Sequence, residues 1–95
     1  MNAGGLDFEW DDSKAYANER KHGVSFAEAL SAFLDPLALT MPDPLHSVVE
    51  PRFLCLGMSR EKRLLVVCHT ERVERIRVIS ARETTRQERR FYERG

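Results

Sequence analysis

The stretch RFLCLGMSREKRLLVVCHTERVERIRVISAR, residues 52–82, carries the strongest fold signal in this chain. Three of its runs are rich in apolar and β-branched residues, which favour extended strands: Arg52–Ser59, Arg63–Glu71 and Arg75–Arg82. The links between the runs are short and polar, as in hairpins, and hairpin-connected strands pair antiparallel. This stretch therefore predicts a three-stranded antiparallel meander.

The turn within the first hairpin sets which residues face each other. A two- or four-residue turn centred on residues 61–62 would place Cys55 directly opposite Cys68. The Cβ atoms of such a pair lie about 4.5–5.5 Å apart. A slip of one residue would exchange the two faces of the strand, so the predicted faces depend on this turn.

A turn centred on residues 73–74 would in the same way place His69 opposite Val78 and Thr70 opposite Arg77. Together the two turns assign one face of the meander to the core, packed against a helix: Leu54, Leu56, Met58, Leu65, Val67, Ile76 and Val78. The other face begins apolar and becomes cationic along the chain: Phe53, Cys55, Gly57, Val66, Cys68, Ile79, Thr70, Arg72, Arg75 and Arg77.

Two helices are predicted before the meander. The first begins after Asp11 or Asp12, runs to about His22 and ends at Gly23, a residue suited to a left-handed C-cap. The second begins at Ser25, which has the capping-box spacing to a glutamate three residues later. Its apolar residues form one continuous stripe: Phe26, Ala29, Leu30, Phe33 and Leu34. A proline at position 36 ends it, and this stripe predicts the main core helix.

Further elements complete the predicted order. Phe8–Trp10 indicates a short edge strand, Leu37–Met41 a second strand, and Arg86–Glu93 a last helix. The order β-α-α-β-β-β-β-α predicts an α+β fold, with one antiparallel sheet, two N-terminal helices and one C-terminal helix. We expect a single domain over residues 1–95, in which residues 1–7 form a flexible tail.

Composition narrows the class of protein. The chain has 95 residues, of which 42% are hydrophobic and 32% charged, as in globular domains. Its longest apolar run, Leu64–Cys68, is far shorter than the roughly 20 residues of a membrane span. The N-terminus lacks the pattern of a signal peptide, so the expected location is the cytoplasm. Cys55 and Cys68 lack metal-ligand spacing and indicate reduced core residues.

The net charge of zero conceals an asymmetry between the two halves of the chain. Residues 1–50 contain three Lys/Arg against nine Asp/Glu, a balance of −6, and residues 51–95 contain twelve against six, a balance of +6. An arginine-rich half is typical of proteins that bind nucleic acid. The alternative interpretation is that the two halves neutralise each other within the fold.

Two helices present polar faces that could carry chemistry. On the first helix the face comprises Lys14, Asn18, Lys21 and His22, and on the last it comprises Arg86, Arg89, Arg90 and Glu93. Cleaving RNA requires proton transfer at two oxygens and stabilisation of extra charge on the phosphate. The alternatives stay open: these residues could be solvated surface, His22 could serve only a helix terminus, and His69 could be a core histidine. His46 stands alone in a loop, and no role is assigned to it.

The residues also match a known family along most of the chain. The matching blocks are FEWDDSKAYANERKHGVSF (8–26), FLDPLALTMPD (33–43), RLLVVCHTER (63–72), RIRVISAR (75–82) and RRFYE (89–93). In this order they resemble the BrnT family of type II toxins. The resemblance implies a RelE-like ribonuclease fold and metal-independent RNA cleavage that stops translation, with no cofactor and no metal.

The resemblance also implies partners. A BrnA-like antitoxin with a ribbon-helix-helix part would neutralise the toxin. The expected complex is a heterotetramer bridged by the antitoxin, with DNA contacted only through it. The rival hypothesis is a catalytically silent homologue that serves as a protein-binding subunit of the DNA-bound complex. A weaker one is a general interaction module without a nucleic-acid role.

The predicted site is a cleft between the first helix, the exposed sheet face and the last helix. Its arginines would hold the phosphate and stabilise its extra charge: Arg77, Arg82, Arg89 and Arg90. Two residues are candidates for proton transfer and one for positioning a base or ribose: Lys14, His22 and Tyr92. The antitoxin is predicted to cover the same basic surface.

Overall fold

A six-stranded mixed β-sheet and three helices make up the fold, which confirms the predicted α+β class. The structure, a computed structural model, describes residues 1–95. Its elements follow one another as β1 (Asn2–Ala3), β2 (Leu6–Glu9), α1 (Asp12–His22), α2 (Phe26–Ala32), β3 (Leu39–Pro42), a 3₁₀ turn (Pro44–His46), β4 (Phe53–Met58), β5 (Leu64–Arg72), β6 (Arg75–Glu83) and α3 (Arg86–Arg94). The strands lie in the order β1-β2-β6-β5-β4-β3. None of the helices has the length and apolar character needed to cross a membrane.

The N-terminal segment differs from the prediction. Residues 1–7, expected to form a flexible tail, contain β1 and the start of β2, which form a hairpin around Gly4 and Gly5. Both glycines have positive φ values, 57° and 82°, which glycine adopts at little steric cost. Burial of Phe8 in the core, where it is 1% exposed, holds the hairpin on the sheet.

β2 pairs with β6 in parallel, so the predicted all-antiparallel sheet is wrong at this position. The pairing joins Phe8 to Ile76 and Glu9 to Arg77, residues far apart in the chain. β2 is therefore not the predicted edge strand, because β6 lies on one side of it and β1 on the other. No local pattern specifies a partner so distant, since the free energy of pairing comes from the assembled core.

The meander β4–β5–β6 is antiparallel, as predicted, but the register of its first hairpin is wrong by one residue. The turn has three residues, because the backbone N–H of Ser59 donates to the carbonyl of Arg63 at 2.8 Å and Lys62 takes a left-handed φ of 65°. Cys55 therefore lies opposite Val67, and the predicted cysteine pair does not form. The one-residue shift also exchanges the two faces of β4 relative to the prediction.

The second hairpin keeps the predicted register near its turn. His69 lies opposite Val78 and Thr70 opposite Arg77. A bulge then shifts the pairing, so that Cys68 lies opposite Ser80. The bulge turns the last part of β6 so that Ala81 enters the core.

One face of the sheet packs against α2 and forms the core. The buried cluster consists of Phe8, Val24, Phe26, Ala29, Leu30, Ala32, Cys55, Leu65, Val67, Val78 and Ala81. Gly57 allows α2 to lie close to β4, because a Cβ at this position would overlap the Ala32 carbonyl. His69 is 3% exposed, with ring centroids 5.0 Å from Phe33 and 5.8 Å from Phe53, and burial lowers its pKa. The interpretation of His69 as a core histidine is confirmed.

α1 has the predicted boundaries, with Asp11 as its N-cap and Gly23 as its C-cap. It has little apolar surface and is held instead by Asn18, whose side chain is buried. The Asn18 amide accepts from the Ala81 backbone N–H at 3.1 Å and donates to the Ala81 and Val24 carbonyls at 2.9 and 3.0 Å. β2 pairs with β6 only at residues 76–77. Beyond them this edge of β6 has no strand partner, and the Asn18 amide makes the hydrogen bonds to Ala81 that a strand would otherwise make.

α2 begins at Ser25, whose hydroxyl accepts from the Glu28 backbone N–H at 3.0 Å. The Glu28 side chain does not complete the predicted capping box. Its carboxylate instead accepts from Ser59 at 2.7 Å and from Arg63, which also donates to the Gly23 carbonyl at 2.8 Å. These contacts join the α1–α2 corner to the β4–β5 turn.

Candidate active site

A groove of about 340 Å³ lies on the face of the sheet opposite α2, which we call the open face. Side chains alternate between the two faces of a strand, so the neighbours of the core residues point into this groove. The lining comes from the loop 43–52 and from β4, β5 and β6: Asp43, Leu45, His46, Arg52, Leu54, Val66, Cys68, Ile79, Ser80 and Arg82. The groove thus joins a histidine to two arginines.

His46 is paired with a carboxylate. Its Nδ1 lies 2.7 Å from Oδ2 of Asp43, whose side chain is only 10% exposed, whereas that of His46 is 66% exposed. No hydrogen bond within the chain uses Nε2. A buried carboxylate on one ring nitrogen orients the imidazole and leaves the other nitrogen available for proton transfer.

Ser47 makes the loop 43–52 compact. Its hydroxyl donates to the Asp43 carbonyl at 2.6 Å and accepts from the Arg52 backbone N–H at 2.9 Å. The backbone N–H of Asp43 also donates to the Arg52 carbonyl at 2.9 Å. Pro44 suits the first position of the 3₁₀ turn that carries His46. These bonds hold His46 and Arg52 at one end of the groove.

Arg82, on β6, also lines the groove and is paired with α3. Its two terminal nitrogens donate to the two carboxylate oxygens of Glu88 at 2.8 and 2.9 Å. These bonds lower the pKa of Glu88 to about 2, and they raise the pKa of Arg82. Glu88 also accepts from the Thr85 backbone N–H at 2.8 Å, which completes the capping box of α3.

A second compartment of about 210 Å³ lies beside the groove, under α3. Its lining is mostly apolar: Met41, Leu54, Leu56, Gln87, Glu88 and Phe91. Leu54 lines both the groove and the compartment. Arg82 lines the groove, and its partner Glu88 lines the compartment. The ion pair therefore stands between the two compartments.

Ion pairs neutralise much of the charge asymmetry. Glu9 lies 2.8 Å from Arg77, 3.4 Å from Arg75 and 3.7 Å from Arg72, and Glu28 pairs with Arg63. Acids of the first half thus meet arginines of the second, as the neutralisation hypothesis predicted. Six arginines of the second half have no ion pair: Arg52, Arg60, Arg86, Arg89, Arg90 and Arg94.

The structure does not bring the seven sequence-predicted site residues together. Of these seven, Arg82 alone lines the groove, and no residue of α1 does. Arg77 is paired with Glu9, and the Tyr92 hydroxyl donates to Asp35, which raises the Tyr92 pKa to about 12. The remaining predicted residues lie on helix surfaces away from the groove: Lys14, His22, Arg89 and Arg90.

Three residues of the groove were not predicted from the sequence as site residues. His46 received no role, and Asp43 and Arg52 were not considered. A usable signal was present, since an aspartate three residues before a histidine, with proline between them, suits a tight turn that joins the two side chains. Arg82 was predicted as a site residue, but nothing local indicated that it would share a groove with His46 and Arg52, because the open face is formed by three separate strands.

The cysteines lie on different faces of the sheet. Cys68 lines the groove, and burial raises the pKa of its thiol, which disfavours the nucleophilic thiolate. Burial raises the pKa of Cys55, in the core, to about 11. Both are free thiols, and no group of three or more His, Cys, Asp or Glu side chains is arranged to hold a metal ion.

Comparison with known proteins gives the family. A family model described as ribonuclease toxin, BrnT, of type II toxin-antitoxin system, matches residues 10–88. The chain belongs to the BrnT family. The matched range includes every residue that lines the groove, and also Glu88. BrnT proteins are ribonuclease toxins of type II systems, and a type II toxin implies an antitoxin partner.

A solved BrnT structure has a similar fold. The crystal structure of the Brucella abortus ribonuclease toxin BrnT superposes with a TM-score of 0.68 and 25% sequence identity, covering 85% of this chain and 99% of that chain. No curated protein sequence matches. The RelE-like classification of the fold remains a prediction.

Proposed function

We propose that this BrnT family protein is a metal-independent endoribonuclease that cleaves RNA in the groove of the open face and thereby inhibits translation. The observation that supports this best is the His46–Asp43 pair at one boundary of the groove, with Arg52 and Arg82 in the same lining. It combines a positioned proton-transfer group with two cations, which is what phosphodiester cleavage requires.

In the proposed reaction the ribose 2′-oxygen attacks the phosphorus, and the bond from phosphorus to the 5′-oxygen breaks. The products are a 2′,3′-cyclic phosphate and a 5′-hydroxyl. Arg52 and Arg82 stabilise the extra negative charge, and the phosphate replaces Glu88 on Arg82. Protonated His46 donates a proton from Nε2 to the leaving 5′-oxygen, while Asp43 stabilises the imidazolium. Glu88, released from the cation that lowers its pKa, accepts the 2′-hydroxyl proton.

We further propose how the protein is neutralised. A BrnA-like antitoxin neutralises the protein, bridges two toxin chains in a heterotetramer and contacts operator DNA, which the toxin itself does not bind. The protein acts in the cytoplasm, where its RNA substrate is found. Nothing in this scheme requires a cofactor.

Purified protein tests the proposal directly. We expect it to cleave a single-stranded RNA oligonucleotide in the presence of excess EDTA and to leave 2′,3′-cyclic phosphate ends, which mass spectrometry identifies. The matched control is a DNA oligonucleotide of the same sequence, which should stay intact because it lacks the 2′-hydroxyl. Cleavage that disappears with EDTA would contradict the metal-independent mechanism.

The second candidate is the catalytically silent subunit. The Arg82–Glu88 pair favours it, because one arginine of the groove is already occupied in the free protein. Inducing the chain alone in bacteria separates the two candidates. Growth arrest with cleaved transcripts supports the ribonuclease, whereas normal growth with a folded, expressed protein supports the silent subunit.

Replacing Glu88 with glutamine should separate RNA binding from cleavage. The amide keeps an acceptor for the Thr85 N–H but no longer competes for Arg82 as a charge, so RNA should bind several-fold more tightly. Loss of the base should lower the cleavage rate by about 10²-fold. Fluorescence anisotropy gives the affinity, and single-turnover cleavage gives the rate. Glu93→Gln on the same helix is the control, and equal changes in both variants would exclude this role for Glu88.

A further inference from the structure

The outer side of α3 carries a stripe of four arginines: Arg86, Arg89, Arg90 and Arg94. All four are exposed, and none takes part in an ion pair. The arginines of β5 and β6 differ, because Arg72, Arg75, Arg77 and Arg82 each have a carboxylate partner. The stripe is therefore a concentration of cations without ion-pair partners, with Glu93 the one acidic residue on the same helix face, although the net charge is zero.

The apolar compartment under α3 lies beneath the helix that carries the stripe. Met41, Leu54 and Leu56 form its floor, and Phe91 is 54% exposed at its side. α3 has no buried residue, so the helix does not fill the space beneath it. A large apolar side chain from another molecule could enter here and bury Phe91, which would be favourable by the hydrophobic effect.

We infer that the arginine stripe and the compartment under α3 together form the docking surface for an acidic segment of the antitoxin that carries at least one large apolar residue. The inference rests on the proposed function only in taking the partner to be an antitoxin, which membership of a type II toxin family implies. Carboxylates would meet the stripe, and the apolar residue would enter the compartment. Charge complementarity of this kind supports both the rate and the specificity of association.

A protein segment fits this surface better than RNA does. The floor of the compartment consists of aliphatic and thioether side chains, which offer no hydrogen bonds to base edges or ribose. RNA would gain contacts from the arginines but would leave this apolar floor uncovered. A segment with alternating acidic and apolar residues satisfies both features.

Docking at this surface also explains how cleavage would be blocked. The compartment lies directly beside the Arg82–Glu88 pair, and it shares Leu54 with the groove. A segment that holds α3 against the sheet would keep Glu88 on Arg82. A phosphate could then not replace that carboxylate, so the antitoxin would inhibit without entering the groove.

The test is a calorimetric titration with the antitoxin, defined as the adjacent-gene product that co-purifies with the wild-type chain. Arg86→Glu with Arg90→Glu should weaken binding by about 100-fold at low salt. Arg20→Glu with Lys21→Glu makes the same charge change on exposed residues of α1 and should change the affinity less than about 3-fold. Phe91→Ser should weaken binding by about 10-fold.

Further readouts distinguish the outcomes. Thermal unfolding confirms that each variant is folded, and Arg86→Ala with Arg90→Ala provides a milder change, expected to weaken binding about 10-fold. Unchanged antitoxin affinity in both stripe variants would overturn the inference. Weaker binding of a 12-nucleotide RNA with unchanged antitoxin affinity would assign the stripe to RNA instead. The titration measures antitoxin affinity and not cleavage. It therefore tests the docking surface even if the protein does not cleave RNA.

Discussion

Replacing His46 with alanine should lower the rate of RNA cleavage by about 10²–10⁴-fold, the usual contribution of a positioned general acid. The ring of His46 is mostly exposed, and its one hydrogen-bond partner is Asp43, so the change should leave the fold intact. Single-turnover cleavage of a labelled RNA oligonucleotide measures the effect. In cells, induction of the variant should no longer arrest growth.

His22→Ala is the matched control, because His22 is the histidine that the sequence predicts in the site. It lies at the end of α1 and does not line the groove, so its loss should change the cleavage rate less than about 3-fold. The opposite result, with His22 essential and His46 dispensable, would indicate that the site includes α1 and not the loop 43–52. Asp43→Asn should slow cleavage less than His46→Ala does, because it removes only the group that orients the ring and stabilises its charge.

Replacing Asn18 with leucine should destabilise the protein by about 3 kcal/mol, because three buried backbone groups lose their partners. These are the Ala81 N–H, the Ala81 carbonyl and the Val24 carbonyl. A loss of this size is a large fraction of the roughly 5–15 kcal/mol that stabilises a typical domain. For a domain of this length it corresponds to a fall in Tm of about 12–24 °C.

Urea unfolding followed by circular dichroism measures this change. Glu19→Ala is the control, since Glu19 is the exposed neighbour of Asn18 on the same helix and should alter stability by less than about 0.5 kcal/mol. Asn18→Asp should also destabilise, because a carboxylate can accept from the Ala81 N–H but cannot donate to the two carbonyls. If Asn18→Leu unfolds at the wild-type urea concentration, the amide does not hold α1 on the sheet.

The helices could be predicted because their signals are local. Asp11, Ser25 and Thr85 each accept a hydrogen bond from a backbone N–H three residues later, within one turn of the residue that starts the helix. Gly23 ends α1 in the left-handed conformation for which glycine is suited. The meander could also be predicted, because strand-forming runs joined by short polar links have few other possible topologies.

The register of β4 could not be predicted, because it depends on Lys62 taking a left-handed φ that lysine seldom adopts. That one residue exchanges the faces of the strand and separates Cys55 from Cys68. The parallel pairing of β2 with β6 was inaccessible for a different reason. It joins segments nearly seventy residues apart through only two residue pairs, Phe8–Ile76 and Glu9–Arg77.

The amino-acid sequence alone is sufficient for the α+β class, for the three helices, for the meander and, through its motif blocks, for the family. These properties follow from short-range periodicity, capping and residue identity along the chain. The site required the folded molecule. His46, Arg52 and Arg82 come together only because the open face of β4–β6 meets the loop 43–52, and Arg77 is neutralised only because β2 brings Glu9 beside it. Local signals specify elements, whereas a site depends on distances between elements, and those distances are set by packing of the whole core.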